Sequence, residues 1–105
     1  MSEPIKIRAT IKGSEGEVRV LMPHPMESGL RRDPSGQVLP AQYITSVILS
    51  LNGRPVVEGV LGIAVSSNPL FAFQLLGVKA GDKVSVAWLD SKGQKGDAET
   101  SFSAA

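Results

Sequence analysis

Along most of the chain, apolar and polar residues alternate one for one, the pattern of strands with one face in a core and the other in water. Ile5, Ile7, Ala9 and Ile11 fall on one side and Lys6, Arg8, Thr10 and Lys12 on the other. Gly13-Ser14-Glu15-Gly16 predicts a turn, after which Val18, Val20 and Met22 resume the alternation. Pro23 and Pro25 end it, because proline cannot donate to a central ladder. Tyr43 to Leu51 is rich in β-branched and apolar residues, and the Asn52-Gly53 that follows is the strongest short hairpin signal. Val56, Val57, Val60 and Leu61 supply the return strand. Beyond Ser66-Ser67-Asn68-Pro69, the run Leu70 to Leu76 puts Phe71, Phe73 and Leu75 on one face, where they are expected in the core. Val84, Val86 and Trp88 alternate with Lys83, Ser85 and Ala87 between turns at Ala80-Gly81-Asp82 and Asp90-Ser91-Lys92-Gly93. A last strand is expected from Gly96 to Ser103.

About seven short strands with regularly spaced turns, and no helical periodicity, predict an all-β fold: an immunoglobulin-like antiparallel β-sandwich. A small barrel is the second choice. The Cys and Trp spacing of antibody domains is missing, so this is a reading of architecture and not of ancestry. The 105 residues are expected to form a single domain, 1–105. Residues 23–42 hold four prolines and two glycines with little periodicity and read as a long irregular connection.

Composition narrows the function. Eleven Lys and Arg against ten Asp and Glu leave a net charge of +1, so no electrostatic footprint for nucleic acid or an anionic membrane is present. No stretch approaches the roughly 20 apolar residues that cross a bilayer. Met1-Ser2-Glu3-Pro4-Ile5-Lys6 lacks the apolar run of a signal peptide, and Arg31-Arg32 is followed by Asp33-Pro34-Ser35-Gly36 instead of an apolar segment. The chain is therefore expected to carry no export signal of its own. With no cysteine it can form no disulfide, thiolate metal site or covalent sulfur adduct on a thiol.

Few residues suggest chemistry. Met22, His24 and Met26 stand at alternate positions and would share one face of an extended strand, a donor set that suits copper(I). Two intervening prolines, and the common use of methionine as packing, favour a structural role. A hydrolytic site would need His24 to pair with Glu27 or Asp33, but no serine occupies a nucleophile elbow. Asp82, Asp90, Asp97 and Glu99 could be imagined as acid–base partners; turn chemistry and a solvated strand face explain them better. Gly59-x-x-Gly62 lacks the strand-to-helix setting of a phosphate loop. No cofactor and no catalytic residue are expected. What remains is the loop Met26 to Gly36, which mixes apolar, cationic and anionic groups as recognition loops on rigid sandwiches do. Arginine is enriched at interfaces, although Arg-to-Asp pairs that tie the loop down would account for these residues equally well.

Within that loop, His24-Pro25-Met26-Glu27-Ser28-Gly29-Leu30-Arg31-Arg32-Asp33, followed by Gly36 and Leu39-Pro40, resembles the SoxZ family of the bacterial sulfur-oxidation carrier complex. The hairpin Leu51 to Val57, the segment Val65 to Phe73 and Trp88-x-Asp90-x-x-Gly93 agree in order and spacing, so the resemblance spans essentially the whole chain. Leu70 departs from it, standing where an aromatic residue is expected. The resemblance implies a non-catalytic immunoglobulin-like subunit that forms a heterodimer with a SoxY-like partner, whose mobile C-terminal cysteine carries the sulfur intermediate of thiosulfate oxidation. It also implies transient docking of the enzymes that act on that intermediate, and a place in the periplasm reached by co-export with the signal-bearing partner. Sheet-face apolar residues and the Met26 to Asp33 loop are expected to contact that partner, the loop through Met26, Glu27, Ser28, Gly29, Arg31, Arg32 and Asp33, with Arg31 and Arg32 the best candidates for charged contacts. A copper-handling periplasmic sandwich using Met22, His24 and Met26, or an accessory binding domain, is the alternative.

Overall fold

A computed structural model describes residues 5–62, 65 and 67–104. Met1 to Pro4 and Ser66, which figured in the readings above, lie outside the described residues. Seven strands of seven or eight residues follow one another: β1 Lys6–Lys12, β2 Glu15–Leu21, β3 Ile44–Leu51, β4 Arg54–Val60, β5 Leu70–Leu76, β6 Lys83–Asp90 and β7 Lys95–Ser101. A two-residue strand, β8 Ser103–Ala104, follows β7. No helix occurs among the described residues.

The strands form two four-stranded sheets, ordered β5-β2-β1-β8 and β4-β3-β6-β7, which pack as an immunoglobulin-like sandwich. Period two decides what is enclosed. Val18, Val20 and Met22 from one sheet meet Ile44, Val47, Leu49, Val84, Val86 and Trp88 from the other, and all are buried. Asn52 and Gly53 take φ of 51° and 83°, as the hairpin signal requires. The first turn is tighter than the sequence suggested: only Gly13 and Ser14 make it, and the strand resumes at Glu15.

The two lateral sides of the sandwich differ. On one, the chain leaves β7, buries Phe102 and joins the opposite sheet as β8, parallel to β1, which ties the sheets together. Phe102 reaches the core beside Gly16, where a Cβ would lie 2.6 Å from its ring and 2.5 Å from Val78 Cγ2. On the other side β4 and β5 are both outer strands, with no strand paired beyond them among the described residues. For this reason Phe71, Phe73 and Leu75, expected in the core, are only half-buried.

Candidate docking arm

The connection read as irregular has a definite structure. Glu27 and Gln42 pair in antiparallel fashion, Glu27 N donating to Gln42 O at 2.6 Å and Gln42 N to Glu27 O at 2.8 Å. A second bridge joins Arg32 to Val38, and Leu39 N donates to Arg31 O at 2.8 Å. Residues 27–42 therefore make a two-stranded arm with its tip at Asp33-Pro34-Ser35-Gly36. The Asp33 carboxylate builds that tip by accepting from Ser35 Oγ at 2.6 Å, Ser35 N at 2.9 Å and Gln37 N at 3.0 Å. These bonds, led by that from the Ser35 hydroxyl, hold its pKa below the ordinary aspartate value.

The arm's length shows in the molecule's shape. Seven-residue strands span about 23 Å, whereas the protein measures 54 × 23 × 22 Å. Its radius of gyration is 15.6 Å, against about 13 Å for a compact chain of 100 residues.

A buried polar knot fixes the base. His24 Nε2 lies 3.0 Å from Asp90 Oδ2, with side chains only 2% and 0% exposed. Met26 N donates to His24 Nδ1 at 3.0 Å, so that nitrogen is unprotonated and the ring carries its proton on Nε2, facing the carboxylate. Asp90 also accepts from Gln42 Nε2 at 3.2 Å, Lys92 N at 2.9 Å and Gln94 N at 2.8 Å. Burial is the largest single influence on Asp90 and pushes its pKa up, but the bonds from His24, Gln42, Gln94 and Lys92 together outweigh it and leave the carboxyl below its ordinary value. The His24 ring stands edge-on to Trp88, centroids 5.0 Å apart. His24 also exchanges bonds with Asn68, its N donating to Asn68 Oδ1 and its O accepting from Asn68 N. Both strands of the arm thus spring from the sandwich floor.

The expected contact residues separate into two groups. Met26 is buried, takes φ of 49° and accepts a bond from Ile44 N on its Sδ at 3.3 Å, so its side chain anchors the base of the arm. Ser28 and Gly29 are half-buried at the base; Gly29 takes φ of 83°, and a Cβ there would also lie 3.0 Å from that of Ala41. Glu27 is half-buried and binds Arg31 through both oxygens, at 2.7 and 2.9 Å. That bond, chiefly, lowers the Glu27 pKa and raises that of Arg31. Arg31 and Arg32 are exposed, the latter donating to Gly36 O at 2.8 Å, while Asp33 is half-buried in the turn it builds. Leu30, 77% exposed, and Val38, 51% exposed, belong to the arm's surface although the expected set omits them. Their signal was present: apolar residues in a segment with no core-facing period.

The donor set proposed for copper is otherwise employed. Met22 is wholly buried in the core, both His24 nitrogens are hydrogen-bonded and the Met26 thioether accepts from Ile44. A bound ion would have to break this knot. Among the described residues no group of three or more His, Cys, Asp or Glu is placed to hold a metal.

The architecture is that of a β-sandwich with a projecting, side-chain-anchored hairpin, and loops carried on such scaffolds are often the ones used in recognition. The sequence matches the family model for sulphur oxidation protein SoxZ over residues 5–101. The chain belongs to the SoxZ family, a family of sulfur oxidation. No curated protein sequence matches it significantly. Among solved structures it is similar to two single-substitution forms of superoxide reductase (neelaredoxin) from Ignicoccus hospitalis. The TM-scores are 0.65 and 0.63 at 15% identity, covering 99% of this chain and 82% of each of those. At that identity the likeness is one of fold.

Proposed function

We propose that this protein is the non-catalytic, scaffolding half of a heterodimeric sulfur carrier in thiosulfate oxidation. Its partner is a SoxY-like subunit whose C-terminal cysteine holds the sulfur intermediate, and the enzymes that act on that intermediate dock transiently on the pair. The observation that carries this reading is the arm. It is braced by a buried His24–Asp90 bond yet presents Leu30, Arg31, Arg32 and Val38 to solvent. Ordering such an arm in the free protein lowers the entropic cost of docking. The absence of cysteine from this chain supports a reactive sulfur carried on the partner, since thiol chemistry is what holds it covalently. The complex works in the periplasm, taken there with its signal-bearing partner.

Co-expression with neighbouring reading frames, followed by affinity capture, tests this. A cysteine-tailed protein recovered in equal amount, in the periplasmic fraction, is the expected result; recovery of the chain alone rejects it. Within that complex, Arg31→Ala combined with Arg32→Ala is expected to weaken partner binding about tenfold, a loss of about 1.4 kcal/mol. The thermal midpoint of the isolated subunit should stay in place, because both side chains are exposed. Unchanged affinity removes the arm from the interface.

A further inference from the structure

We propose that the free edge of β5, with the apolar cleft beside it, is where an extended strand of the partner subunit adds to the sheet; this rests on the heterodimeric reading above. Sheet edges expose unpaired backbone groups, and proteins guard them with charge, proline, bulges or brevity. Three of the four edges here are guarded. The outer strand β4 carries Arg54, Pro55 and Glu58, and a register shift leaves Val56 without a partner. Outer strand β7 alternates Lys95, Asp97 and Glu99 on its exposed face. Outer strand β8 is two residues long. The fourth edge, β5, reads Leu70-Phe71-Ala72-Phe73-Gln74-Leu75-Leu76, seven residues without a charge, a proline or a register shift.

The register says which backbone groups are free. Met22 N donates to Pro69 O, and Gly77 N to Ser14 O, at opposite ends of the β2–β5 ladder. Hydrogen-bonded pairs of an antiparallel ladder recur every second residue, so Phe71, Phe73 and Leu75 turn their N–H and C=O toward β2. Those of Leu70, Ala72, Gln74 and Leu76 point away from the sheet. Leu70 and Leu76 also lie 65% and 77% exposed on its outer face. Beside this edge a cleft of about 80 Å³ opens between the sheets, with Phe71 and Phe73 on one wall, Val57 and Leu61 on the other, and Val47 and Leu49 at its floor.

Together these features specify the occupant. It is an extended, uncharged segment that exchanges backbone hydrogen bonds with Leu70, Ala72, Gln74 and Leu76 and turns every second side chain, a small apolar one, into the cleft. It pairs with β5 and not β4, whose proline and bulge refuse a ladder. The arm lies nearby: Asn68 N, two residues before β5, bonds His24 O at its base, so one partner can reach both.

The test uses the co-purified complex and the isolated chain, read by amide hydrogen exchange. In the isolated chain the amides of Ala72, Gln74 and Leu76 exchange fast while those of Phe73 and Leu75 are protected. In the complex all five are expected to be protected, with the first three slowed at least a hundredfold. Ala72→Pro removes one outward N–H and spares the β2 ladder; it should weaken the complex about tenfold without moving the subunit's thermal midpoint. Should that variant fail to fold, Ala72→Lys with Gln74→Lys puts charge on the same edge and is expected to have the same effect. A partner recovered with the Ala72 and Gln74 amides still exchanging freely overturns the edge assignment and leaves the carrier reading standing. Protection of those amides in the isolated chain, with a dimeric mass, gives the edge to a second copy and overturns the partner strand. Recovery of no cysteine-tailed partner at all overturns both.

Discussion

Asp90 keeps its charge inside the protein because four donors, His24 Nε2, Gln42 Nε2, Lys92 N and Gln94 N, surround it. Its pKa is lower folded than its ordinary value of 3.8. Ionisation therefore favours the folded state above that value, and the contribution is lost as pH falls through the lowered one. Asp90→Asn is expected to cost about 1–3 kcal/mol at neutral pH, the usual cost of leaving buried donors poorly matched. It should also flatten the acid limb of a urea-midpoint profile, while Glu27, Asp33 and Asp82, lowered chiefly by Arg31, Ser35 and the Lys79 amide, still supply a slope. An acid limb as steep as in the original protein would mean that Asp90 is not held ionised by folding. His24→Ala opens a cavity and strands both Asp90 and Met26 N, so about 2–5 kcal/mol is expected in the same titration. Sequence reading gave Asp90 a turn role, and it does bond the backbone of Lys92 and Gln94. Its bond to His24 spans 66 residues, and no local spacing reveals that.

At the scale of elements, the strands were legible because alternation is a local property and the sandwich obeys it. Val18, Val20 and Met22, or Val84, Val86 and Trp88, face inward as their period demands. What alternation does not say is which strand stands at an edge. Phe71 and Phe73 have the pattern of core residues and are half-exposed because β5 is an outer strand, with no strand paired beyond it among the described residues. The arm escaped the sequence for a related reason: its strands bury no face, so no period marks residues 27–42. Two tight approaches within the sandwich were equally invisible, since a glycine in a strand can mean a bulge, a weak point or close contact. Here contact decides, for a Cβ at Gly96 would overlap the Trp88 indole, and one at Gly16 would press on Phe102 and Val78. Gly96→Ala and Gly16→Ala are each expected to cost about 1–3 kcal/mol by overpacking. Denaturant unfolding measures this. A neutral result at Gly16 would mean that Phe102 can withdraw without loosening β8.

For the whole molecule, the 54 Å long axis poses the question of whether the arm belongs to the folding unit or only to recognition. The buried cluster runs from Ala9 to Phe102 and takes only Met26 from the segment 26–42; everything between Leu30 and Pro40 is exposed or half-buried. Hydrophobic burial is the dominant favourable term in folding, so the outer arm contributes little to it. Its anchor is different: His24, Met26 and Gln42 bond to Asp90 and Ile44, which are parts of the sandwich. Replacing residues 30–39 by a short glycine turn between Gly29 and Pro40 should therefore leave the unfolding midpoint within a few degrees of the original. Small-angle scattering of the shortened chain should give a radius of gyration below 15.6 Å, nearer the roughly 13 Å of a compact domain. Partner capture should fall in the same variant. If stability falls as well, the arm is structural, and the contacts assigned to Leu30, Arg31, Arg32 and Val38 lose their support. If stability and capture both persist, docking runs through the sandwich, and the β5 edge becomes its principal surface.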